Sequence, residues 1–132
     1  MAAERHRVVL ADDVADVRLL LATTLELDGR FEVVGEAADG ADAIATARRL
    51  QPDAVVLDLV MPTMDGLSAI PEIRAAAPGC RVVVLTAMDE ADLAEAALLR
   101  GAHACLGKTL AFYELVPVLQ GLLETPGVVG AT

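Results

Sequence analysis

Three stretches of this chain, VVLA at 8–11, AVVL at 54–57 and VVVL at 82–85, are apolar without a break, and that continuity restricts the folds open to it. A strand with one wet face alternates apolar and polar residues. An unbroken run therefore marks a strand covered on both faces, as in a parallel sheet with helices on either side. The pattern predicts strands over His6–Ala11, Phe31–Ala37, Ala54–Asp58, Arg81–Thr86 and, least marked, Ala104–Gly107. Helical patterns fill the intervals, giving the order βαβαβαβαβα of a parallel α/β domain.

The first helix should bury a stripe of Val17, Leu20, Leu21, Thr24 and Leu25, and the second one of Ala43, Ile44, Ala47 and Leu50, stopping before Pro52. The third is expected to start near Ser68, so that Pro71 falls in the first turn where its missing N–H is harmless. Asp89 and Asp92 open the fourth, and Arg100 and Gly101 close it. The fifth carries Phe112, Leu115, Val116, Leu119, Leu122 and Leu123 on one stripe. Within it Pro117 should remove a hydrogen bond to Tyr113 and kink the helix, and Gly121 should weaken it.

A length of 132 residues with 55% apolar content suits one domain with a proper core. No apolar stretch is long enough to span a bilayer, and the N-terminus runs from Arg5, His6 and Arg7 into a strand without a signal-peptide pattern, so a soluble, cytoplasmic protein is expected. The formal charge of −10, from 20 acidic against 10 basic residues, argues against direct attraction to nucleic acid or anionic membranes. Three aromatics, Phe31, Phe112 and Tyr113, give no platform for stacking bases.

Four of the five strand patterns end on residues suited to phosphate or a divalent cation: Asp12 and Asp13, Asp58, Thr86 and Lys108. Each has a plainer reading alone. An Asp after a strand is commonly a helix cap, Thr favours strands, and Lys is usually a solvated surface charge. Asp58 resists that reading because it closes a run of Ala54, Val55, Val56 and Leu57, where an unpaired charge is costly to bury. At the ends of parallel strands, these side chains converge on one crevice.

Taken together, the Asp12-Asp13 pair, Asp58 followed by MPTMDG, Thr86-Ala87 and Lys108 resemble the receiver domain of bacterial two-component response regulators, over nearly the whole chain. The EAADGADAIA and DGLSAIPEIRAAAPG segments are similar to receivers that precede a helix-turn-helix DNA-binding domain. The resemblance implies a flavodoxin-like doubly wound sheet of order 2-1-3-4-5 flanked by five helices. It implies that Asp58 accepts a phosphoryl group from a sensor histidine kinase, with Lys108, Thr86, Leu59 and Ala87 binding the phosphate. Asp12, Asp13, Asp58 and the carbonyl of Val60 would hold Mg²⁺, or Mn²⁺, since carboxylates about 4 Å apart repel by roughly 4 kcal/mol per pair at an effective dielectric near 20. Asp58 itself, with an ordinary carboxylate pKa of roughly 3.9, would need no general base.

The resemblance also implies a switch through the fourth helix, fifth strand and fifth helix that controls an output domain or partner protein, with only weak self-catalysed phosphoryl chemistry. Relatives carry an aromatic residue three positions before the Lys and often a Pro after it; here stand Cys105 and Thr109. The odd spacing from Cys105 to Lys108 predicts that the thiol faces away from the phosphate as a bystander, leaving Thr86 to carry the coupling. Cys80 and Cys105 are expected to be free thiols, and His6 and His103 offer no zinc site. Exposed apolar residues around Leu110, Phe112, Tyr113 and Leu119 predict weak dimerisation through the last two helices, detectable by sedimentation.

Other chemistries fit less well. Gly107-Lys108-Thr109 suggests a P-loop, but the upstream glycine position holds Ala102. A dehalogenase-type aspartyl-phosphate hydrolase wants a second acid where Val60 stands. The alternative reading is a stand-alone or degenerate receiver that binds protein without regulated phosphorylation. Residues 1–124 read as the receiver and 125–132, with Thr125-Pro126-Gly127, as a tail or the start of a linker.

Overall fold

The computed structural model describes residues 4–61, 66–87 and 91–124. Five strands, β1 His6–Ala11, β2 Phe31–Ala37, β3 Ala54–Asp58, β4 Arg81–Thr86 and β5 Ala104–Gly107, alternate with helices α1 Ala15–Asp28, α2 Gly40–Leu50, α3 Gly66–Ala76, α4 Ala91–Leu99 and α5 Lys108–Glu124. All strand pairs are parallel, in the order β2-β1-β3-β4-β5. This is the flavodoxin-like doubly wound fold. The chain winds to one side of β1 and then returns to the other, and the reversal opens a crevice above the carboxyl ends of β1 and β3.

The unbroken apolar runs serve two cores at once. Val9, Ala11, Val55, Leu57, Val82 and Val84 point toward α2, α3 and α4, whereas Val8, Leu10, Val56, Val83 and Leu85 point toward α1 and α5. Among the described residues no helix is long and apolar enough to cross a membrane. Both cysteines are free, and the β4–β5 register opposite Cys105 is Val84, four residues beyond Cys80.

Several helix expectations need correction. In α1 the buried leucines are Leu21 and Leu25, and Leu20 is exposed. It precedes Leu21 by one residue, about 100° round the helix, and the inward stripe repeats every four residues instead. Helix α3 starts at Gly66, two residues before Ser68, so Pro71 is its sixth residue and cannot donate to the Leu67 carbonyl. The early start has a local cause: the Gly66 N–H donates to the Leu59 carbonyl at 2.9 Å, pinning the helix onto the end of β3. Helix α4 has Asp92 in its first turn and Gly101 beyond its end at φ +113°, while Asp89 lies outside the described residues. Helix α5 continues through Pro117 and Gly121 to Glu124. Its Leu119 is fully buried in the core, and among the described residues the large exposed apolar side chains of α4 and α5 are Leu98, Leu99, Leu110 and Tyr113.

Candidate functional site

Strand β1 ends at Ala11 and hands Asp12 and Asp13 to the loop before α1, β3 ends on Asp58, and α5 opens with Lys108. Ligand oxygens of Asp12, Asp13 and Asp58 all lie within 4.8 Å of one another. Asp12 and Asp58 are buried, at 1% and 2% exposure, and Asp13 is open to solvent. Neither acid of the pair is spent as a helix cap. The N-cap of α1 is Val14, without a side-chain cap bond, and Asp12 Oδ1 accepts the Val14 N–H at 2.8 Å to hold the turn before the helix.

The buried charges are only partly matched. Lys108 Nζ donates to Asp58 Oδ2 at 3.0 Å, and Asp58 Oδ1 accepts the Val60 N–H at 3.1 Å. Asp12 Oδ2 lies 3.2 Å from the same ammonium but without hydrogen-bond alignment, and it is a buried oxygen with no donor. Burial pushes the Asp58 carboxyl above its ordinary pKa, and the nearby Asp12 charge adds to this, against the pull of Lys108 and the Val60 N–H. Burial works against the Lys108 charge, but its bond to Asp58 and the negative charges of Asp58 and Asp12 outweigh that and hold its pKa above the usual value. The expectation of an unperturbed Asp58 therefore fails, because the residue is deep in the crevice beside another acid.

Three carboxylates within 4.8 Å of one another, two of them paired with the single Lys108 ammonium, with a buried Asp12 oxygen lacking an aligned hydrogen bond and an all-oxygen donor set, fit a small hard divalent cation. Thr86 and Ala87 close β4 next to Asp58, which pairs with Leu85 across the sheet, and Thr86 is 5% exposed. Leu59 turns its side chain into the core and donates its N–H to the Leu85 carbonyl at 3.1 Å. The N–H beside the Asp58 carboxylate is that of Val60.

Cys105 packs on the α4 side of the sheet, turned toward the flanking helices as its spacing from Lys108 predicts. Burial pushes its thiol up, against a smaller pull from the Thr86 hydroxyl. The direct passage from Gly107 into α5 also leaves no phosphate-cradling loop of the P-loop kind.

Sequence reasoning missed two supports of the site. Gly66 is one: a Cβ there would sit 2.6 Å from Leu59 Cα and 2.8 Å from the Asp58 carbonyl, so only glycine lets α3 approach. The Asp-Gly pair after Asp58 was the available signal. The other is Arg18, which reaches the Asp12 carbonyl and Glu36. A charged residue beside Val17 at the edge of the inward stripe was its only sign.

The fold is a doubly wound α/β domain with an acidic cluster at its crevice, and the chain belongs to the response regulator receiver domain family, which matches residues 8–120. It is 41% identical over 121 residues to the transcriptional regulatory protein PdtaR of Mycobacterium tuberculosis, covering 90% of this chain and 57% of that protein. It is 42% identical over 125 residues to protein-glutamate methylesterase/protein-glutamine glutaminase 5 of Myxococcus xanthus, covering 90% of this chain and 36% of that protein. The chain thus spans 57% and 36% of the lengths of these two relatives. Among solved structures, the receiver domain of the putative response regulator NarL from Mycobacterium tuberculosis superposes with a TM-score of 0.86 at 34% identity, covering 92% of this chain and 98% of that one.

Proposed function

We propose that this receiver, residues 1–124 of a cytoplasmic signalling protein, accepts a phosphoryl group on Asp58 from the phosphohistidine of a sensor histidine kinase. The observation that carries the reading is the Asp58 carboxylate at the end of β3, held between the Lys108 ammonium and the Val60 N–H, with Asp12 and Asp13 oxygens beside it. An Asp58 oxygen attacks phosphorus as the bond from phosphorus to the imidazole nitrogen breaks, giving an aspartyl phosphate and, as that nitrogen takes a proton from solvent, a neutral histidine. Lys108, the Thr86 hydroxyl and the N–H groups of Val60 and Ala87 take the phosphoryl oxygens; Leu59 joins them only if its bond to Leu85 opens. Asp12, Asp13, Asp58 and the Val60 carbonyl would hold Mg²⁺ or Mn²⁺, which supplies charge neutralisation at the phosphoryl oxygens.

Drawing Thr86 toward the new anion would shift the end of β4, and the change would spread over the α4, β5 and α5 face to an output domain or partner, in a transcriptional pathway. Intact-mass spectrometry tests the acceptor. With acetyl phosphate and Mg²⁺ the protein should gain one phosphoryl group, and chelation or an Asp58→Ala substitution should prevent it. Equal labelling of that variant would rule Asp58 out.

A further inference from the structure

We propose that Arg18 is a positioning residue for the cation site, acting through the main chain of Asp12; the inference rests on the metal-binding reading above. Arg18 lies on α1, outside the acidic cluster, and its guanidinium makes two directed bonds. One N–H of Nη1 donates to the Asp12 carbonyl, and Nε donates to Glu36 Oε1 at 2.7 Å. The Arg18 side chain is 18% exposed, so the fork is largely sheltered, whereas Glu36 is nearly half exposed.

A closed circuit results. The Asp12 N–H donates to the Ala37 carbonyl at 3.0 Å, and Ala37 adjoins Glu36 on β2. The peptide of Asp12 is therefore gripped on its N–H side by β2 directly and on its carbonyl side by Arg18, which is anchored to the same strand. The loop needs such a grip. Asp12, Asp13 and Asp58 repel one another, and the Val14 N-cap supplies no side-chain bond that would fix the start of α1. Because the guanidinium is paired with Glu36, its role is to hold geometry and not to compensate the acidic charge at long range. Lysine cannot copy it, since one ammonium on a shorter stem does not present a planar fork to both partners.

The test is Mg²⁺ affinity, read by calorimetry on the full chain without any phosphoryl donor, in wild type, Arg18→Met, Arg18→Lys, Glu36→Gln and a control, Arg30→Met, that cuts an ion pair at the α1–β2 turn. Arg18→Met should weaken Mg²⁺ binding about tenfold, as loss of groups that orient metal ligands commonly does. Arg18→Lys should recover part of it, Glu36→Gln should lose a smaller part, and Arg30→Met should match wild type. Labelling by acetyl phosphate should be slow in Arg18→Met at limiting Mg²⁺ and return to the wild-type rate at saturation. Wild-type affinity in Arg18→Met, an equal loss in Arg30→Met, or a rate deficit that persists at saturating Mg²⁺ would overturn the inference. Wild-type protein that binds no Mg²⁺ would instead overturn the cation site itself and the inference with it. If Arg18→Met does not fold, Arg18→Lys and Glu36→Gln decide the matter by the same readout.

Discussion

Asp58 and His103 respond to burial in opposite ways, and together they set the pH behaviour of single residues here. Burial, with Asp12 nearby, raises the Asp58 carboxyl, so its contribution to stability is present below the unfolded value of about 3.9 and is lost as pH rises through the folded value. For His103, burial first and then the Arg74 and Arg81 charges lower the pKa. Its Nδ1 accepts the Val82 N–H at 3.0 Å, which requires the neutral ring. That stability is present above the unfolded histidine value of about 6.5 and is lost as pH falls toward the folded one. A His103→Gln variant should melt lower than wild type at pH 7.5 yet decline less between pH 7 and 5.5. Equal slopes for the two proteins in thermal melts would contradict this role. Neither shift could be read from the sequence, because each depends on contacts made by distant segments.

At the scale of elements, strands were read to their ends and helices were not. The strands announce themselves by unbroken apolar runs closed by polar residues, a pattern that survives any change in neighbours. Helix starts are fixed by tertiary contacts instead. Helix α3 begins where Gly66 meets the Leu59 backbone, and the Pro71 rule, applied without that contact, placed the start two residues late. The same contact makes a sharp prediction. Gly66→Ala forces a methyl to 2.6 Å from Leu59 Cα and 2.8 Å from the Asp58 carbonyl, and should cost about 1–3 kcal/mol in denaturant unfolding. It should also lower the rate of Asp58 labelling, since the Asp58 carbonyl must give way. Unchanged stability and labelling would show that α3 can shift freely from β3.

Over the whole molecule, the doubly wound topology brings residues 12, 13, 58 and 108 into one crevice, though they come from three separate segments of the chain. The recurrence of Asp, Thr and Lys at strand ends made that convergence readable in outline. The uneven division of labour within it, with Lys108 aligned on Asp58 but not on Asp12, required coordinates. The far end of the domain is tied down too: His6 Nε2 lies 3.0 Å and Arg30 Nη1 3.8 Å from the Glu124 carboxylate, fixing the last turn of α5 against the starts of β1 and β2. The central claim is that the acids hold the cation while Lys108 holds the phosphoryl group. Amide NMR spectra recorded first with Mg²⁺ and then with added beryllofluoride, on wild type, Asp13→Ala and Lys108→Ala, separate the two roles. Asp13→Ala should show no Mg²⁺ shifts around residues 12 and 58, whereas Lys108→Ala should keep those shifts and lose the further response at Thr86 and α4. Mg²⁺ shifts that survive in Asp13→Ala, or a full beryllofluoride response in Lys108→Ala, would contradict it.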